Sequence, residues 1–252
     1  MTKGHNAARA ALSLVRPGLI PGAAPRGTRA RELASDASVE HPGYGLTPDR
    51  VVSIFRLAEA GWTQPQCDLF DDLRENDAKL RNLLEGRALA VWGKEWSIVP
   101  DGAERDAALA AEVLDEALRG LPFVDALAHQ LEFNPTGWGA SEIDWNVVER
   151  GGRSWVVPTW IANVPARRFR VRPETDELRL LTESFRGDGE PLELGKWWVT
   201  RRSGARLARA GLMRTGAFNV VYKRYAVRDA NVFASKFGLP LVLAQYDETA
   251  GG

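Results

Sequence analysis

Between Thr215 and Phe237 the bulky apolar residues fall at Phe218, Val221, Tyr222, Tyr225, Val232, Phe233 and Phe237. Their separations of three, four and seven predict one long α-helix with a single apolar face. Lys223, Arg224, Arg228, Asp229 and Lys236 sit between them on the wetter side. Gly238 is placed to end the helix, and Pro240 keeps it from resuming. Such a helix owes its stability to whatever covers its apolar face, so the rest of the chain must supply a surface for it. The pattern predicts that Phe218, Tyr222, Tyr225 and Phe233 pack within the subunit. On that packing Phe233→Ala would cost about 3–5 kcal/mol.

The chain has 252 residues, 44% of them hydrophobic, enough to bury a core in one domain or two. Its single cysteine, Cys67, excludes an internal disulfide and a cysteine-based zinc site. No apolar run approaches the ~20 residues of a membrane span, so no membrane partner is expected. The Ala-Ala-Leu-Ser-Leu-Val run at residues 10–15 is short and flanked by arginines, unlike a signal peptide. A cytoplasmic protein of a bacterium or its phage is the expected setting.

The formal charge of zero conceals three blocks. Residues 1–31 carry six Lys/Arg and no acid. Residues 32–149 hold 23 Asp/Glu against 9 Lys/Arg, and residues 150–252 hold 18 Lys/Arg against 10 Asp/Glu. Blocks of opposite sign suit subunits that meet one another or a surface that handles nucleic acid; they equally suit solvated faces of one fold. On the first reading, the basic side at Lys223, Arg224 and Arg228 would face an acidic surface of a neighbouring copy.

Residues 1–46, rich in Ala, Gly, Pro and Arg without a sustained period, read as a flexible basic arm. Thr47-Pro48-Asp49 opens a helix that buries Val51, Phe55 and Ala58 and stops at Gly61. A second helix is predicted from about Pro65 to Val91, with Leu69, Leu73, Leu80, Leu84 and Val91 on one stripe. Asp77 and Arg87 interrupt that stripe, so each needs a fixed partner or a neighbouring subunit. Trp96 and Ile98 alternate with Ser97 as in a half-buried strand. Helices follow at 103–118, with Leu109, Val113, Ala117 and Leu118 inward, and from Phe123 to Phe133. From 140 to 201 the chain reads as a meander of antiparallel strands, with turns at Arg150-Gly151-Gly152-Arg153, at 172–176 and at 186–190.

Chemistry is sparse in this pattern. Glu142 and Asp144 lie two apart on a strand, share a face and are the available carboxylate pair for Mg²⁺. No Ser-His-Asp set, no His-Glu-x-x-His and no phosphate loop can be read. Trp138, Trp145, Trp155, Trp160, Trp197 and Trp198 cluster in the strand region, where core and subunit interface compete with base stacking. Arg167, Arg168, Arg170 and Arg172 are candidates for phosphate contact, with intersubunit salt bridges as the competing reading.

The order of several short stretches resembles the portal proteins of Mu-like phages. They are Asp77, Leu80 and Arg87; Trp96-Ser97-Ile98-Val99-Pro100; Gly137-Trp138-Gly139-Ala140-Ser141-Glu142-Ile143-Asp144-Trp145; and Lys196-Trp197-Trp198-Val199. Gly211-Leu212-Met213-Arg214, Arg228-Asp229, Phe233, Phe237-Gly238-Leu239-Pro240 and Tyr246 complete the series, so the likeness covers residues 47–246. Two positions depart from the family pattern. Thr200 or Arg201 stands where a histidine is usual, and Asn134 to Gly137 replaces an Ala-rich helix end.

The resemblance implies an α+β fold, with helices packed on an antiparallel β meander (the wing-like region of a portal, here residues 47–252) followed by the long amphipathic helix. It implies a homo-oligomeric, dodecamer-like ring at the capsid vertex of a virion, assembled in the host cytoplasm. Implied partners are the terminase large subunit, capsid and head-completion proteins, and double-stranded DNA passing non-specifically through the channel. No cofactor and no catalysis are expected. DNA or intersubunit contact would fall to Arg167, Arg168, Arg170, Arg172, Lys223, Arg224 and Arg228. Family members continue well past the Gly-x-Pro segment, so the chain reads as the N-terminal half of such a protein. The alternatives are a Mg-dependent DNA-processing enzyme using Glu142 and Asp144, or a non-functional prophage remnant.

Overall fold

A computed structural model of the chain describes residues 45–238. The basic arm and the segment from Leu239 to Tyr246 lie outside these residues. The order is three helices, α1 (Pro48–Glu59), α2 (Gln64–Asn76) and α3 (Ala78–Trp92), then α4 (Arg105–Arg119), α5 (Phe123–Gln130) and the single turn α6 (Phe133–Thr136). Six strands follow: β1 (Trp138–Arg150), β2 (Arg153–Val164), β3 (Phe169–Arg172), β4 (Glu177–Leu180), β5 (Glu190–Pro191) and β6 (Trp197–Arg201). The long helix α7 spans Met213–Phe237. This is the α+β class that the sequence implies.

The strands do not form one meander. They make two antiparallel three-stranded sheets, ordered β2-β1-β6 and β3-β4-β5. β6 pairs with β1 rather than β5, with Trp138 opposite Arg201 and Glu142 opposite Trp197. The physical reason is burial. At the start of β1, β6 pairs along Trp138–Glu142 and β2 from Ala140 onward, so both edges of this buried stretch find hydrogen-bond partners. The hairpin between β1 and β2 turns at Gly151 and Gly152, both at positive φ (63° and 75°), a conformation open to glycine without strain.

The predicted helix from 65 to 91 is broken. Asp77 is extended, and its Oδ1 accepts from the backbone N–H of Lys79 and Leu80, each at 3.0 Å. It therefore ends α2 and caps α3, a competition with the helix ladder that Asp side chains often win. Val91 is exposed as a result. Residues 93–100 pair with no strand; Trp96 instead packs edge-on to Phe123 at 5.0 Å, with Arg119 over its ring. The helix predicted to end at Phe133 stops at Gln130 and resumes as α6, which Gly137 closes in the left-handed region at φ 110°.

Two apolar clusters meet through α2. Leu69, Phe70 and Leu73 face Val51, Phe55, Met213, Ala217, Val220 and Val221 of α1 and α7. Cys67 points the other way, into Trp138, Val164, Phe169 and Leu178 of the sheets and Leu207 of the 3-10 turn before α7. Each fully buried Leu or Phe here contributes about 1.5–3 kcal/mol. At the junction of α5 with the first sheet, Gln130 donates to Ser141 Oγ at 2.8 Å, and Thr200 Oγ1 donates to Gln130 Oε1 at 2.8 Å. Thr200 is thus a tie between β6 and α5.

Candidate functional site

The long helix is two helices in its surroundings. Its first half is anchored. Met213, Ala217, Val220 and Val221 are buried, Phe218 packs edge-on to Phe55 at 5.8 Å, and Tyr225 is partly buried at the edge. Its position is set by Gly211, because a Cβ there would stand 2.3 Å from Pro135 O and 2.7 Å from Thr136 O. Only glycine lets the chain lie against the backbone of α6 and still aim α7 at α1 and α2.

Two ion pairs clamp the same half. Arg214 places its guanidinium 2.6 Å from Glu59, hydrogen-bonds Gln66 Oε1 at 3.2 Å and Ala208 O at 3.1 Å, and lies over the Phe55 ring at 4.2 Å. A cation in the first turn of a helix opposes the helix dipole, so this position requires a carboxylate nearby. That was the signal in the sequence; Arg214 otherwise stood there only as part of a Gly-Leu-Met-Arg motif. The hydrogen bond from Arg209, reinforced by Arg214, holds the Glu59 carboxyl below its ordinary pKa. Farther along, Lys223 Nζ is 2.8 Å from Asp77 Oδ2, and this bond together with the α3 cap lowers the Asp77 pKa. Asp77 thus has the fixed partner its place in the sequence demanded, while Arg87 is simply exposed.

From Ala226 to Phe237 every residue is exposed. The expectation that Tyr222 and Phe233 pack within the subunit is overturned: Tyr222 is 59% exposed, Phe233 66% and Phe237 69%. The helix outruns the body, since α1 and α2 end their contact with it near Tyr225, and the apolar face beyond rotates away. Phe233 and Phe237 touch only each other among described aromatic rings, at 5.1 Å.

The basic candidates are scattered by the fold. Lys223 is spent on Asp77, Arg224 borders the groove between α7 and the α2–α3 junction, and Arg228 pairs with Asp229 at 3.0 Å and lies over the Tyr225 ring. Arg167 is 3.1 Å from Asp68 on α2. Arg168 is half-buried in the turn before β3. Arg170 and Arg172 converge on Asp188 at 3.6 and 3.7 Å, with Arg170 also over the Trp62 ring. The cavity of about 380 Å³ beside them includes Glu174 as well as Asp188 in its wall. The four arginines therefore do not line up as one open cationic stripe. The tryptophans of the strand region are buried or half-buried: Trp138 is enclosed, Trp197 meets Phe169 edge-on, and Trp198 stacks on Phe123.

Glu142, the stronger half of the carboxylate pair, is fully buried with Lys196 Nζ at 2.9 Å. A divalent cation would have to displace that ammonium, and among the described residues no three His, Cys, Asp or Glu side chains gather as a metal site. Nor is any helix among them long and apolar enough to cross a membrane.

Sequence comparison agrees with the pattern of residues. Residues 67–251 match the family described as the portal protein of Mu bacteriophage. The chain is 30% identical over 226 residues to Mu-like prophage FluMu protein gp29 of Haemophilus influenzae, covering 84% of this chain and 41% of that protein. It is 32% identical over 231 residues to the portal protein of Escherichia phage Mu, covering 87% of this chain and 43% of that one. The chain thus spans less than half the length of these curated relatives. The match across the folded body and the whole of α7 means that the chain belongs to the Mu bacteriophage portal protein family.

Proposed function

We propose that this chain supplies the wing-like region and the long helix of a Mu-like phage portal, residues 47–252, with residues 1–46 as a basic arm. In this reading it is a structural component of a homo-oligomeric ring at the capsid vertex, assembled in the host cytoplasm. Double-stranded DNA passes through the ring without sequence-specific contact, and terminase, capsid and head-completion proteins dock on it. Catalysis belongs to other proteins. The observation that carries the reading is α7, anchored to the body by its first half and presenting a bare aromatic face with its second. A helix face of this kind fits a chain that becomes complete only beside other copies.

The cationic residues take their roles from their geometry. Arg167, Arg170 and Arg172, each near an acid of its own chain, fit structural pairing, with DNA contact limited to screened, salt-sensitive attraction. Arg224 and Arg228 on the projecting helix fit intersubunit contact. Negative-stain electron microscopy of the purified protein at rising concentration tests the reading. Closed rings with a central opening are expected; a species that stays monomeric at every concentration would contradict it.

A further inference from the structure

Among the longer helices, α3 has the least of its own to hold it. Among the described residues none of its side chains is buried, and Leu83, Leu89 and Val91 are each at least half exposed. It carries no acid in its first turn, no base in its last and Gly86 in its middle, so neither the helix dipole nor propensity favours it. A 15-residue helix of this kind is marginal unless something outside it helps. α5 runs beside it without burying any of its side chains. The help comes near its N-terminus. Leu80 and Leu84 pack on the cluster of α1, α2 and α7, and Leu80 Cδ1 stands 3.6 Å from where a Cβ on Gly216 of α7 would lie. Asp77 adds four polar ties. Its N–H donates to Leu73 O and ends α2, and its C=O accepts from the Arg81 N–H and opens the α3 ladder. Its Oδ1 caps α3 at Lys79 and Leu80, and its Oδ2 holds Lys223 of α7 at 2.8 Å. Only 7% of Asp77 is exposed, so its charge depends on these bonds.

We propose that Asp77 is a latch through which α7 sets α3: the N-cap of α3 holds only while Lys223 keeps the carboxylate in place. The two oxygens share one rotamer, so the carboxylate cannot turn to follow Lys223 without taking Oδ1 from the α3 amides. Lys223 sits two residues before Tyr225, near where α7 leaves the body, so a displacement of the projecting half pulls on this bond. The two helices are then coupled. α3 frays when α7 lifts, and by linkage a frayed α3 loosens α7. The latch goes beyond the portal reading, because it belongs to the single chain and needs no second copy.

Amide hydrogen exchange of the whole chain tests the latch. Lys223→Met keeps the aliphatic reach of the side chain and leaves Asp77 in place, but removes the cation. It should speed exchange of the α3 amides, residues 79–92, by about fivefold or more, with α1 and the first half of α2 unchanged. Asp77→Ser keeps a capping oxygen and has no second one for Lys223, so it separates the two tasks. In the Asp77→Ser background, Lys223→Met should then change α3 exchange by less than about twofold. α3 amides that are unchanged or slower in Lys223→Met would overturn the proposal. So would an equal acceleration of α1, α2 and α3, which marks a loss of the whole fold. The same acceleration with and without Asp77 would overturn it too, by showing that Lys223 acts on α3 by another route.

Discussion

The two halves of α7 have similar composition and opposite fates. From Met213 to Tyr225 the helix is built against a surface: small residues at Gly216 and Ala217 let it approach, Met213 and Val221 fill the space, and Arg214 and Lys223 fasten its sides. From Ala226 onward Phe233 and Phe237 are exposed among the described residues. Hydrophobicity therefore does not say which half is core. Aromatic residues stand in both halves, Phe218, Tyr222 and Tyr225 in the first and Phe233 and Phe237 in the second, so residue type does not separate them; what does is whether α1 and α2 lie opposite.

Substitutions can break this contrast. Met213→Ala removes a fully buried side chain between α1, α2 and α7 and should destabilise the fold by about 2–5 kcal/mol in urea titration. An effect near zero would mean the first half is not anchored. Gly211→Ala, forcing a Cβ onto the Pro135 and Thr136 backbone, should cost about 1–3 kcal/mol by the same measurement.

Part of this was legible in the sequence. Thr47-Pro48 gave a true helix start, with Thr47 Oγ1 accepting from Arg50 N–H, and the double glycine gave a true hairpin. The α+β class and the family followed from motif order. What sequence periodicity missed were competitions decided by tertiary contact. Asp77 broke a continuous apolar stripe because its carboxylate could cap α3 and hold Lys223 at once. β6 left the meander to pair with the buried edge of β1 along Trp138–Glu142, a long-range pairing that local alternation does not record. Phe233 kept the helical period yet meets no wall among the described residues, since a period records a face and not its partner.

The clamps sharpen the comparison through pH. Glu59 and Asp77 have folded pKa values lowered by their cationic partners, so the stability they confer is present above the unfolded carboxylate range and is lost as pH falls through the lowered folded values. Thermal midpoints should fall below about pH 4. The combined Glu59→Gln and Asp77→Asn variant, which keeps a capping side chain at 77, should show a shallower decline. An equal decline would mean these pairs do not hold the helix. The smallest effect belongs to Phe233→Ala, expected to change monomer stability by no more than about 0.5 kcal/mol because the ring is exposed.

Amide hydrogen exchange along α7, in dilute monomer and in the assembled state, tests the division of the helix most directly. The monomer should protect residues 217–225 strongly and residues 226–237 weakly, and assembly should bring the second stretch up toward the first. Equal protection of both stretches in the monomer, or a second stretch that remains fast-exchanging in the ring, would contradict it.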